Sequence, residues 1–386
     1  MFKKLLPLAL ATFAVGTDAF VIAGLLPDIA ASLKVSVPAA GQLVTAFALT
    51  YALAAPVMGA LTGRLDRRTA LLLALAIFIV GNIATATATD YPTAMAARVI
   101  TAIGAGAITP VAAATATAVA PAEKRGQALS IVVGGLTVST ALGVPLGTLI
   151  GGTDWRLTLW AVAGLSVIAV AGIAAGLPRI TLPPNRLRDR LAPLRQPAVL
   201  VLLATTGMIL AAGYTFYAYI GPITHAATGG STVKLTAILL AYGIGGVIGN
   251  FLAGRLSDRF TPERVLTVTL IVYIALATLT PLTTTHLWLT LPWVTAWSAT
   301  GWGTTVPQQS RLVSLAPQSS TILLGLNSSA LYLGTAAGGG IGGIALGFLP
   351  APTLGLLTAA LAALALTTVV LTTRTRPTVC PIPTTG

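Results

Sequence analysis

Apolar residues in this chain run on for twenty positions and more, stop at a short polar or charged turn, and begin again. Twelve such runs lie at roughly 5–31, 39–62, 69–89, 93–119, 127–152, 157–178, 197–223, 234–256, 264–282, 287–308, 320–348 and 352–372. A helix needs about 20 residues to cross a hydrocarbon core of about 30 Å, and each run reaches that scale. Backbone groups in lipid must be satisfied within the spanning segment, and nothing alternates with a period of two, so helices are predicted rather than a barrel. The predicted class is an all-α integral membrane protein with 12 transmembrane helices.

Composition leaves no soluble alternative. Hydrophobic residues make up 55% of the 386 and charged residues 8%, too few to cover a water-facing globule. The charges orient the chain instead. With Lys3 and Lys4 inside, eighteen of the 22 Lys and Arg fall at cytoplasmic ends, while only Lys34, Arg156 and Lys234 fall outside and Arg98 stays within a span. That asymmetry predicts both termini in the cytoplasm of a bacterial-type inner membrane. The net charge of +13 is then a set of topology anchors facing anionic headgroups, and calls for no nucleic acid. Lys3 and Lys4 before an apolar run also resemble a signal peptide, but the run is long and carries Asp18 at its centre, so it is read as a retained span. One cysteine, Cys380, and two histidines, His225 and His286, offer no metal cage, and no cofactor is expected.

The one long connection, RITLPPNRLRDRLAPLRQ at 179–196, divides the chain near its middle. ALTGRLDRR at 60–68 and AGRLSDR at 253–259 stand at the same place in each half, after the second run. The glycine-rich segments 134–152 and 334–347 correspond likewise. A duplication follows, with a six-helix bundle at 1–178, a cytoplasmic loop at 179–196 and a second bundle with a short tail at 197–386. Repeated halves around a central site are a construction of secondary transporters. Helix packing alone accounts for Gly245 and Gly249 of the eighth run, but not for the repeated basic and acidic turn.

The order and the motifs resemble the major facilitator superfamily, and within it the twelve-helix drug:proton antiporter group with its arabinose-efflux-like and phenicol-exporter-like proteins. GTDAFVIAGLLPDIA at 16–30 resembles that group's first-helix signature, VSVPAAGQLVTAFAL at 35–49 its continuation, and GYTFYAYIGP at 213–222 its seventh helix. The superfamily's loop motif is intact in the second half as Gly254, Asp258 and Arg259; in the first, Gly63 follows Gly59 where an Asp is expected, and Asp66 is displaced. Arg98, Gly104 and Ala105 resemble the family's fourth-helix motif, with Thr101 and Ala102 in place of Gln and Gly. Gly143, Pro145 and Gly147 form a variant of the antiporter motif of the fifth helix, followed by TDWRLTLW at 153–160. The resemblance implies the major facilitator fold, two pseudo-symmetric bundles, a cytoplasmic gate made by Arg64, Asp66, Arg67, Gly254, Asp258 and Arg259, and leak prevention by the fifth helix.

Asp18 lies 13 residues from either end of its predicted helix, about 20 Å from each. A carboxylate there must face protein or water, and desolvation favours its neutral form, so Asp18 is a candidate proton carrier. A protonated Asp tied to a neighbouring helix, or one recruiting a cationic substrate, remains an alternative. Arg98 is the other charge well inside a span; whether the two faces meet is not legible in sequence. The substrate candidates are uncharged: Gln42, Tyr214, Tyr217, Trp297 and Asn327. Rings with few polar handles suit moderately hydrophobic molecules. The expected activity is proton-coupled efflux of small compounds by a monomer in the lipid bilayer. The alternatives are a sugar or metabolite exporter, a symporter, or a transporter-like sensor. No catalytic cluster and no nucleotide-binding loop is present, so an enzyme is not expected.

Overall fold

A computed structural model of the chain describes residues 2–121, 124–181, 187–316 and 319–374. Among them twelve long helices follow one another: α1 (Phe2–Ser32), α2 (Val37–Leu61), α3 (Arg67–Ala86), α4 (Tyr91–Val119), α5 (Arg125–Ile150), α6 (Trp155–Gly176), α7 (Pro197–Tyr217), α8 (Thr232–Arg259), α9 (Pro262–Thr278), α10 (Leu287–Gly303), α11 (Ser320–Leu346) and α12 (Leu354–Arg374). Ten of them have 18 or more residues and the apolarity of a membrane span. The other two, α9 and α10, have 17 residues each and continue after a one-residue break as the short helices Thr280–Thr283 and Thr305–Leu315. Pro281 and Pro307, at the start of these continuations, lack the N–H that would carry the helix through, so the runs expected to be single helices are jointed. The seventh run is jointed too, resuming as Ile220–Ile223.

Short side chains start the helices. Ser36, Asp66, Asp90, Asp154 and Ser231 each accept from a backbone N–H in the first turn of the helix that follows. Gly229 and Gly230 take positive φ of 60° and 78° in the turn before α8, a region open to glycine. Twelve traversals bring the start of α1 and the end of α12 to one side, the terminal face; the other side is the far face.

The packing repeats. In the first bundle α1 lies against α5 and α6, α2 against α4, and α3 against α4 and α6; in the second, α7 lies against α11 and α12, α8 against α10, and α9 against α10 and α12. Between apolar helices in lipid, close approach of backbones replaces hydrophobic collapse, and glycine permits it. On α5, a Cβ at Gly143 would collide with Thr17, and one at Gly147 would stand 2.8 Å from a methyl of Val21 on α1. The counterpart α11 meets α7 through Gly334 against Gly207 and Gly338 against Ala211. Around Pro145 the α5 ladder loosens into a π-turn at Ser139–Gly143 before resuming at Val144.

The bundles touch along two seams, α2 with α11 and α5 with α8. Toward the far face one core joins them, uniting Leu25, Ile29 and Leu43 with Tyr217, Ile220, Leu239 and Trp293. Toward the terminal face the cores are separate: Leu5, Leu71, Val111 and Val132 belong to one, Val199, Leu203, Leu312 and Leu323 to another. The bundles are therefore sealed together at the far face and not at the terminal one.

Candidate functional site

Asp18 and Arg98 meet. Both side chains are fully buried in the first bundle, on α1 and α4, and Nη1 of Arg98 donates to both carboxylate oxygens of Asp18 at 2.8 and 3.0 Å. Among the described residues it is the one ion pair with no exposure at either end. The guanidinium also lies 4.3 Å from the ring centroid of Phe47 on α2, a cation–π contact. Its Nε and Nη2 are buried without a partner. A buried guanidinium using one nitrogen of three is an incomplete arrangement, of the kind that calls for a functional or structural explanation.

Next to the pair the bundles meet through rings. Tyr51 of α2 stacks on Tyr332 of α11 with centroids 3.6 Å apart, and Tyr332 lies within electrostatic reach of Asp18. On the other side of α1, Phe20 enters an aromatic cluster built almost wholly by the second bundle. Its centroid is 6.1 Å from Tyr214, 6.2 Å from Tyr217 and 6.3 Å from Trp302. Tyr217 continues to Tyr242 at 4.7 Å, and Trp297 takes Tyr242 at 6.0 Å and stacks on Tyr273 at 5.3 Å. Tyr214, Tyr217, Tyr273 and Trp297 form a buried floor, while Phe20, Tyr242 and Trp302 are half-buried at its rim. The indole N–H of Trp297 has no acceptor among the described residues, while that of Trp302 points at the Tyr242 hydroxyl. Ring faces with an idle donor suit a flat apolar molecule carrying an acceptor.

Three of the five expected substrate residues, Tyr214, Tyr217 and Trp297, thus come together. Gln42 and Asn327 do not join them. Gln42 sits in the α2–α11 seam against Gly343, its amide on the carbonyl of Pro38 at 3.5 Å. Asn327 is buried within the second bundle and accepts from Thr206 at 2.9 Å, beside Gln308, which in turn accepts from Arg311 at 3.1 Å. Phe20, Tyr242, Tyr273, Trp302 and Tyr332 were not legible as site residues, since a ring in an apolar run gives no sign of which way it faces.

Of the expected gate, Asp66 caps α3, accepting from Thr69 N at 3.0 Å and from its hydroxyl at 2.7 Å, and these bonds hold its carboxyl below the usual range. Arg67 is buried. The Arg64 side chain lies outside the described residues, as do Cys380 and Arg376. Gly254 has open space around it. Asp258 and Arg259 are exposed, and neither they nor Arg255 and Arg264 enter an ion pair among the described residues; Arg255 lies on the ring of Phe251 instead. At this end of the second bundle the ion pair is Arg311 with Glu263, at 3.8 Å. A groove of about 910 Å³ lies beside it, lined by Leu256, Phe260, Arg264 and Val370, away from the aromatic cluster.

Comparison with known proteins gives a consistent result. The sequence profile described as Major Facilitator Superfamily matches residues 8–321. The inner membrane transport protein YdhP of Escherichia coli strain K12 is 35% identical over 383 residues, 97% of each chain. A chloramphenicol resistance protein of Streptomyces lividans is 34% identical over 269 residues, 68% of each chain. The putative transporter AraJ of Escherichia coli strain K12 is 29% identical over 271 residues, 70% of this chain and 69% of its own.

Proposed function

Since the chain belongs to the major facilitator superfamily, and is a multi-pass membrane transporter rather than an enzyme, we propose that it is a proton-coupled antiporter that exports small, moderately hydrophobic compounds. The observation that carries this reading is the buried pair of Asp18 and Arg98 with its two idle guanidinium nitrogens. Protonation of Asp18 removes the charge that holds Arg98, and Arg98 must then find other acceptors. A proton is thereby converted into a rearrangement between α1 and α4.

Exchange proceeds by alternating access. The bundles 1–178 and 197–386 turn against each other as units about the connection 179–196, with the terminal face cytoplasmic, as the excess of Lys and Arg there supports. The chain acts as a monomer in the inner membrane. Substrate enters from the terminal side, where the bundle cores are separate, and lies on the rings of Tyr214, Tyr217 and Trp297 past Phe20. The likeness to a chloramphenicol resistance protein favours drug-like cargo over sugars. In the far-open state the loop charges Asp258, Arg255, Arg259 and Arg264 close the terminal side; Gly143, Pro145 and Gly147 keep α5 tight against α1 and limit leak.

Proton release on adding a phenicol-like compound to detergent-solubilised protein tests this. Wild type releases protons and Asp18→Asn does not, while Asp18→Asn still binds. Equal release from both proteins removes Asp18 from the proton path and defeats the coupling mechanism.

A further inference from the structure

At the terminal ends of α2 and α3 two guanidinium groups lie within electrostatic reach of each other, with no counter-ion among the described residues. Arg67, the first residue of α3, is 6% exposed, and its Nε is buried without a partner. Arg190 reaches it from the short helix Leu187–Leu191 in the connection between the bundles; it is half-buried, and its Nε is also buried and unpartnered. The two are close enough for their charges to repel. Arg190 lies over Gly59 near the end of α2, where a Cβ would stand 2.5 Å from its Nη1 and 3.1 Å from its Cζ.

Among the described residues neither arginine enters an ion pair. Asp66, adjacent in sequence, is occupied by Thr69, and its charge contact is with Arg179. Position 63, four residues after Gly59, holds glycine and offers no carboxylate. Two like charges partly withdrawn from water, each with a buried Nε that lacks an acceptor, are unfavourable unless something neutralises them. Planar guanidinium forks match the oxygens of a tetrahedral anion better than any other side chain.

We propose that Arg67 and Arg190 form a binding site for a phosphate-bearing anion, either an anionic phospholipid headgroup or soluble phosphate. The site stands where α3 leaves the membrane, and Leu187 and Leu191, one turn apart on the connecting helix, are exposed there as apolar contacts. The connecting helix touches both α2 and α11. An anion tying Arg190 to Arg67 therefore fixes it at the mouth between the bundles, on the side where their cores are separate.

The test uses the purified full-length protein in neutral detergent and reads its melting temperature, so it is independent of any transport assay. Dioleoylphosphatidylglycerol, dioleoylphosphatidylcholine and inorganic phosphate are titrated separately at matched ionic strength. Wild type is stabilised by phosphatidylglycerol or by phosphate, and not by phosphatidylcholine. A response to phosphatidylglycerol alone assigns the lipid, and a response to inorganic phosphate assigns the soluble anion. Arg190→Gln, in the connection and outside both cores, needs about tenfold more anion for the same shift, the scale of one charge-assisted pair. Gly59→Ala, whose Cβ displaces the guanidinium, moves in the same direction, and the neighbouring Arg188→Gln keeps the wild-type response. No anion effect in wild type overturns the site, as does an effect that Arg190→Gln leaves intact or that Arg188→Gln weakens equally.

Discussion

Two acidic residues of the first bundle show how far a side chain's identity determines its work. Asp66 looks like a gate charge and serves as a helix cap; Asp18 looks like a buried proton carrier and is found in a pair. Because two bonds from Thr69 hold the Asp66 carboxyl below the usual range, its stabilising effect is complete above the ordinary carboxylate pKa of about 3.9 and is lost as pH falls through the lowered value. Asp66→Ala is therefore expected to destabilise α3 by about 1 kcal/mol at pH 7. Melting curves of variant and wild type should converge in strong acid. For Arg98 the geometry sharpens the expectation from charge alone. Only Nη1 touches Asp18, so Arg98→Lys retains the essential contact, whereas Arg98→Ala leaves a buried carboxylate unpaired at about 3–5 kcal/mol. Thermal stability should rank wild type, Arg98→Lys, Arg98→Ala, and uphill transport should follow the same order.

At the level of helices, the glycines separate into those that let backbones meet and those that do not. Gly245 and Gly249 lie on the carbonyls of Thr295 and Ala299 of α10, where an added Cβ would collide. Gly254, on the same helix, faces open space. Gly249→Ala should lower stability by about 1–3 kcal/mol through overpacking. Gly254→Ala should be neutral, or stabilising by up to about 1 kcal/mol through helix propensity. The two variants are compared by melting in one detergent; equal behaviour would mean that α8 does not seat on α10 as described. The same physics explains α5: Pro145 alone is enough to expect a bend, but not the π-turn at Ser139–Gly143, because the register of the ladder depends on what α1 and α8 press against it.

For the molecule as a whole, the decisive feature is that the seams close at one face. Thr45 and Gly339 face each other across the α2–α11 seam, a Cβ at position 339 standing 2.9 Å from the Thr45 hydroxyl. Thr45→Cys with Gly339→Cys should crosslink under mild oxidation and stop exchange in proteoliposomes, with activity restored by reductant; full exchange after quantitative crosslinking would show that this seam never opens. By itself the sequence determined the all-helical membrane class, the repeated motifs and the oddity of Asp18 and Arg98, because each is written locally, in run length, in repetition or in a charge where lipid forbids one. Only the tertiary structure decided which face of each helix looks inward. Trp297 and Trp288 occur in the same apolar run, yet one is 1% exposed and the other 71%. In a helix whose whole circumference is apolar, no stripe marks the inside, since lipid and protein interior are solvents of nearly the same polarity. The pairing of Arg98 with Asp18, the ring cluster around Phe20, and the seating of Gln42 and Asn327 outside it exist only once the helices are packed, at the close approaches that glycines such as Gly143 and Gly338 permit.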